Sequence, residues 1–383
     1  MRTMLAGAAA AAFFLVAVQA DAATATATRA WQFKDADPAA LELDNLVGDV
    51  RIERGTAGGF YVSVKVTAEG KTQQEAQDIA GAVEFNARDA GSSSAFQVLL
   101  PASRFPVIYR QGAPEGWFAG RMNVEYLGEK RRITGDPDEG VQVRVDILVR
   151  APVDARLGVR NVFGDATAEG FSGELRLDGS SGRLASANGT GRLDLDSGSG
   201  PVEVAVHSGE VSADTGSGPV TIRDCQCRIS ADTGSGSVSV RGGEGELDAD
   251  TGSGGVTVTD FKGSIRADTG SGGIKVSGLS GATELVADTG SGGVHVAGDL
   301  SALRRLDIDT GSGGVTLEAS AWPAMELVVD TGSGGTDIDV PGANVRLDDD
   351  RRSIVRIGEG GFRGIVDTGS GSVRLRTVPA AAP

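Results

Sequence analysis

Leu247-Asp248-Ala249-Asp250-Thr251-Gly252-Ser253-Gly254-Gly255-Val256-Thr257-Val258 decides the fold of this chain. Leu247, Ala249 and Thr251 alternate with Asp248 and Asp250, and Val256 and Val258 flank Thr257. Period-two alternation on both sides of a glycine-rich bend reads as strand, turn, strand, with one face of each strand buried. The central Asp-Thr-Gly-Ser-Gly occurs eight times, beginning at Asp214, Asp232, Asp250, Asp268, Asp288, Asp309, Asp330 and Asp367, with a near-copy at Asp196. Most neighbours lie 18 to 21 residues apart. A fixed period in that range marks a solenoid, each repeat being one turn of a coil.

Counting from each Asp as position zero, position −3 is apolar throughout (Leu193, Val211, Ile229, Leu247, Ile265, Leu285, Leu306, Leu327). Positions +6 and +8 are apolar as well (Val202 and Val204, Val220 and Ile222, Ile274 and Val276). Glycines at +2 and +4 are expected to permit a positive φ at the bend, and a glycine at +13 (Gly191, Gly209, Gly245, Gly263) to close the coil. Cys225 and Cys227 fall at +11 and +13 and read as turn substitutes, since two cysteines one residue apart close a very tight ring. The register runs back to Arg160 and includes a degenerate coil at Asp348, in which charged residues 348–352 replace the turn.

Outside the repeats, Leu41 to Ile52 follows the template of Leu157 to Ala168 and predicts an outlying coil. Tyr61 to Thr67, Phe96 to Leu100 and Val141 to Val149 read as strands. Thr72 to Phe85 carries Ala76, Ile79, Ala80 and Val83 at helical spacing. The expected architecture is therefore all-β: a parallel β-solenoid (β-helix) of about twelve coils with an amino-terminal β-rich cap containing a short helix. Its segments are a signal peptide at 1–22, a cap at 30–155, the repeat solenoid at 156–376 and a tail at 377–383. A cap is needed because an open solenoid end exposes unpaired backbone.

The signal peptide rests on Arg2, the apolar run from Leu5 to Val18 and the small residues around Ala20-Asp21-Ala22. The run is shorter than the roughly 20 residues needed to span a bilayer. The expected compartment is periplasmic or extracellular, with no transmembrane segment in the mature form. A formal net charge of −16 disfavours nucleic acid as a partner, because phosphate contacts depend on Lys and Arg.

An export signal, an early Leu-x-Asn-x-x-Gly-Asp-Val-type segment and ladders of Asp-Thr-Gly-Ser-Gly-x-Val-x-Val together resemble the bacterial putative-adhesin family. The resemblance covers about residues 30–376. It implies a secreted parallel β-solenoid related to autotransporter adhesin head domains. It brings no catalytic residues.

Asp-Thr-Gly-Ser is also the signature of aspartic proteases, whose chemistry needs two carboxylates face to face and sharing a proton. A column of aspartates at constant spacing has a different geometry. The only histidines are His207 and His295, on a turn and an outward face, a poor basis for a Ser-His-Asp triad. Short turns and few aromatics leave no cleft for cleaving polysaccharide, so the expectation is a protein that is not an enzyme and has no cofactor. Each repeat Asp is expected to accept hydrogen bonds from its own turn. Stacked carboxylates about 5 Å apart repel by roughly 0.8 kcal/mol per pair in water. That repulsion motivates a weak Ca²⁺ column over Asp214, Asp232, Asp250, Asp268 and Asp288. Thr at +1 continues the inward alternation and predicts a buried threonine ladder.

The least repetitive surface is 101–135, where Arg104, Tyr109, Arg110, Trp117, Phe118, Arg121 and Tyr126 combine aromatic and positive character. It is either a contact for glycan or protein or a set of aromatics plugging the coil end. The expected role is an exported structural or adhesive protein of the envelope that presents a repetitive acidic surface. Its partners are then envelope polymer, glycan, protein or further copies of itself. The alternatives are a binding module acting through 101–135 and a polysaccharide-active β-helix.

Overall fold

The computed structural model describes residues 24–34, 39–56, 58–90, 93–110, 122–348 and 351–379, and the backbone of Ala12–Phe14. The expected signal peptide lies outside the described residues except for that short strand, which pairs antiparallel with Thr24–Gln32. About 66% of the chain is strand, one helix is present among the described residues, and the parallel β-solenoid has about 9 turns rather than twelve. No helix among the described residues is long and apolar enough to cross a membrane. The chain divides into two compact units, residues 1–193 and 194–383.

In the first unit, the outlying coil stacks on the coil that shares its template. Ala40–Val47 runs parallel to Ala155–Phe163, Leu41 opposite Leu157, and Val50–Arg54 runs parallel to Ala166–Glu169. On its other side the coil pairs with Ser94–Leu99 and Val143–Ala151. Tyr61–Glu69 lies antiparallel between Val143–Ala151 and Thr24–Gln32. The helix Gln73–Gly81 packs on these last strands through buried Ala76 and Ala80, and the Thr72 hydroxyl caps it by accepting the Glu75 N–H. Trp31, Phe85 and Phe96 form an aromatic cluster with centroids 4.8–5.9 Å apart. The aperiodic stretch after Leu100 holds a small sheet: Ile108–Tyr109, Glu129–Thr134 and Met122–Tyr126.

In the second unit the repeats lie in strict parallel register. Asp214, Asp232, Asp250, Asp268, Asp288 and Asp309 are consecutive partners, each with its threonine beside it. The apolar −3, −1, +6 and +8 side chains fill the interior, and Phe261 at +11 is fully buried.

The carboxy-terminal end departs from chain order. Arg305–Thr310 pairs with Phe362–Thr368, and Val315–Ala321 pairs with Val373–Thr377. Met325–Asp330 stacks on the far side of Phe362–Thr368. The last coil in sequence is thus inserted between two earlier ones, and the Trp322–Ala324 connection crosses two coil spacings, about 10 Å. No coil forms at Asp348. Asn344–Leu347 and Arg352–Ile357 make an antiparallel hairpin that covers Met325–Asp330. A coil there would place Asp349 in the buried threonine column, where an unpaired charge is costly.

Cys225 and Cys227, read above as unbridged turn residues, are joined by a disulfide with Cα atoms 5.5 Å apart. Residues i and i+2 of a strand share one face, and here that face is the interior, which brings the two sulfurs together.

Candidate functional site

Two kinds of turn column run along the coils. In the second unit the residue that holds the turn is threonine. The Gly218 N–H donates to Thr215 Oγ1 at 3.2 Å, and that hydroxyl donates to the Gly200 carbonyl of the preceding coil at 3.0 Å. The same pair of bonds recurs at Thr233, Thr251, Thr269, Thr289, Thr310 and Thr368. The Gly216 N–H goes to the Ser197 carbonyl of the coil below. The glycine N–H groups at +2 and +4 are therefore satisfied without the aspartate, contrary to the expected Asx-turn. Of the repeat aspartates, Asp330 on the end coil does accept its turn's N–H, from Gly332.

The glycine at +4 is needed here for space. A Cβ on Gly236 would lie 1.8 Å from the Gly218 carbonyl oxygen, and on Gly254 1.7 Å from that of Gly236. The expected positive φ at +4 is found instead in the first unit, at Gly48, Gly164 and Gly182 (122° to 125°), and at +13 in Gly191, Gly209, Gly245 and Gly263.

The repeat aspartates stand in file on the exposed side of the same turns. Burial and neighbouring aspartates raise the pKa of Asp214, Asp250, Asp268 and Asp309, burial being the larger cause. Among the described residues no group of three or more His, Cys, Asp or Glu is arranged to hold a metal ion. Strand stacking sets Asp214, Asp232, Asp250, Asp268 and Asp288 side by side, one per coil, instead of converging them on a point.

In the first unit asparagine takes the place of threonine. Asn161 Nδ2 donates to the carbonyls of Gly48 and Gly164, each at 3.0 Å, and Asn45 Nδ2 donates to the Val145 carbonyl and to Asn161 Oδ1. Both asparagines are fully buried. The two turns built this way carry larger side chains at +3, Val47 and Phe163, and the next coil has Gly179 in place of the asparagine and Ser181 at +3. Aspartates at +5 tie successive coils, Asp49 Oδ1 accepting the Asp165 N–H at 3.0 Å and Asp165 Oδ1 the Arg183 N–H at 2.9 Å.

These turns form one wall of a cleft of about 680 Å³. Thr67, Glu69, Gln142, Val143 and Arg144 line the opposite side, and Tyr109 and Arg110 complete it. The small sheet fixes this pair: the Tyr109 N–H donates to the Val141 carbonyl at 3.0 Å and the Arg110 N–H to the Thr134 carbonyl at 2.8 Å. The Arg110 guanidinium lies 4.8 Å over the Phe163 ring, a cation–π contact. Partial burial lowers its pKa. Arg144 is neutralised by ion pairs to Asp49 and Asp146, and Asp165 faces Arg183. Among the described residues the buried Ser181 hydroxyl oxygen has no hydrogen-bond partner.

Of the residues singled out between 101 and 135, the described ones do not form one surface. Tyr109 and Arg110 meet at the cleft. Arg104 is exposed at a separate depression beside the helix, with Gln77, Asp78 and Ser103. Trp117, Phe118 and Arg121 lie outside the described residues. Tyr126 is a correction: it is 3% exposed, and its hydroxyl donates to the Val98 and Asp44 carbonyls at 2.7 and 3.0 Å. Phe105 and Arg131 are buried as well, so much of this segment does plug the core. Sequence reasoning missed Phe163, Ser181, Arg144 and Glu69. Their shared signal is only a position in a coil or a paired strand, which says nothing of which turns face Arg110.

Residues 183–320 match the family model described as Toastrack DUF4097, and that span fits the adhesin-like resemblance of the repeats. Two crystal structures are similar. One is a putative cell adhesion protein from Clostridium sporogenes, 9% identical, covering 93% of this chain and 100% of that one, with a TM-score of 0.22. The other is a putative lipid binding protein from Parabacteroides distasonis, 12% identical, covering 91% of this chain and 96% of that one, with a TM-score of 0.35. TM-scores this low carry no argument about this chain. No curated protein matches it.

Proposed function

We propose that this chain is an exported, non-catalytic β-solenoid of the bacterial envelope that adheres to an envelope polymer or glycan through its amino-terminal unit. In this reading the threonine-held repeats are scaffold and the cleft at Tyr109 and Arg110 is the contact. The observation that carries it is Arg110 itself. Its backbone is locked by the small sheet, its guanidinium is stacked on Phe163, and no carboxylate among the described residues pairs with it. A partly desolvated cation without a counter-charge is a poor element of stability and a good element of recognition. Asp49 and Asp165 accept backbone N–H groups and face arginines, which commits them to holding coils together and not to proton transfer.

The test is retention of the full chain on immobilised envelope polymers and glycans, beside Arg110→Gln and Tyr109→Ser. Deleting 101–135 is the poorer comparison, because it removes Phe105, Ile108, Tyr126 and Ile133 from the core. Retention that falls in both point variants supports the reading. Retention unchanged in both sinks it.

A further inference from the structure

The charges around the cleft narrow its ligand, given the reading above that the cleft is the binding site. Arg144 pairs with both Asp49 and Asp146, which leaves one surplus carboxylate beside the cleft, and Asp165 pairs with Arg183. Among the described residues, the charged cleft-lining groups that take part in no ion pair are Arg110 and Glu69, one of each sign. The remaining polar lining is hydroxyl and amide: Thr67, Gln142 and the partnerless Ser181. Tyr109 adds a half-buried aromatic ring.

Each feature constrains the ligand. A guanidinium presents parallel N–H donors that match a carboxylate bidentately. A lone carboxylate nearby repels a second anionic group, which disfavours polyphosphates and polysulfates. Glu69 can instead accept hydroxyl hydrogen bonds, and an aromatic ring suits the C–H face of a sugar. A cleft of about 680 Å³ falls in the size range of small-molecule sites.

We propose that this cleft binds a carboxylated saccharide, Arg110 taking the carboxylate and Glu69 a ring hydroxyl. Hydrogen bonds to a charged group are worth about 1.5–3 kcal/mol, so losing the guanidinium weakens binding at least about 10-fold.

The experiment is calorimetry on the full chain with three uronate disaccharides (galacturonate, glucuronate and mannuronate) and their neutral hexose counterparts. At least one uronate should bind, with its neutral counterpart at least about 10-fold weaker, since the carboxylate contact is absent. Arg110→Gln should abolish that preference at an unchanged circular dichroism spectrum, and Glu69→Gln should preserve it. If Arg110→Gln does not fold, the uronate-to-neutral comparison on the unaltered chain still decides. Equal binding of charged and neutral sugars, no uronate binding, or an undiminished preference in a folded Arg110→Gln variant overturns the proposal. Arg110-dependent retention on envelope polymer without uronate binding rejects the ligand class alone. Retention independent of Arg110 and Tyr109 rejects the adhesion reading beneath it.

Discussion

Thr233→Val tests whether threonine holds the coils. The substitution keeps the side-chain shape and removes Oγ1, which accepts the Gly236 N–H and donates to the Gly218 carbonyl, both at 3.0 Å. Thr233 is fully buried, and the bond to Gly218 is buried with it. Each polar group left without a partner costs about 1–3 kcal/mol. Gly236 is partly exposed, so water recovers some of its share. The added methyl returns roughly 0.8 kcal/mol. The net expectation is a loss of about 1.5–3 kcal/mol. Thr233→Ser keeps the hydroxyl and loses one methyl, about 1 kcal/mol. Ser197 already accepts the Gly200 N–H in the first turn of this type, so serine is competent there. Urea denaturation of the three proteins supplies the ranking. Because repeat arrays strain two-state analysis, amide exchange at Gly236 supplies the location. Valine should speed exchange at that amide and serine should leave it near its starting value. If valine proves no more costly than serine, or Gly236 exchange is unmoved, the threonine ladder is not what holds the turns.

Gly254→Ala drives a methyl into the Gly236 carbonyl and should cost more than about 3 kcal/mol, whereas Gly81→Ala, with open space and a helical position, should be neutral or stabilising. The acidic file predicts an inverted pH response. Asp214, Asp250, Asp268 and Asp309 bind protons more tightly folded than unfolded, so stability should rise as pH falls from neutral through the upper carboxylate range. Asp299, lowered by its hydrogen bonds to Ser301, opposes this as a single group. Asp250→Asn should raise Tm at pH 7 and shrink the rise on acidification; a Tm that falls steadily from pH 7 to 5 contradicts the argument. Tyr126→Phe should cost about 1–2 kcal/mol in urea by stranding the Val98 and Asp44 carbonyls, yet leave saccharide affinity unchanged, and a loss of affinity would return this residue to the binding surface.

Legibility varied by region for physical reasons. Period-two alternation repeated at a near-constant interval is local information, and it located the strands, the inward faces and the coil of Leu41 to Ile52. The glycines at +4 were visible, but their cause was not. A composition rule offers positive φ, while the structure shows a carbonyl of the preceding coil filling the space where a Cβ would go. Asp and Thr sit side by side in every repeat, and either can cap a turn. Alternation buries the threonine, and the buried residue is the one that meets the stranded N–H.

The chain's own sequence was enough to establish a stacked parallel coil, because identical short units with one apolar face have few other ways to bury it. Tertiary structure alone decided that the coil of Asp367 slides beneath that of Asp330, since spacing encodes adjacency along the chain and not order in the stack. It also decided the cleft. Tyr109, Glu69, Phe163 and Ser181 are far apart in sequence, and they meet because unrelated backbone segments pair across the same turns.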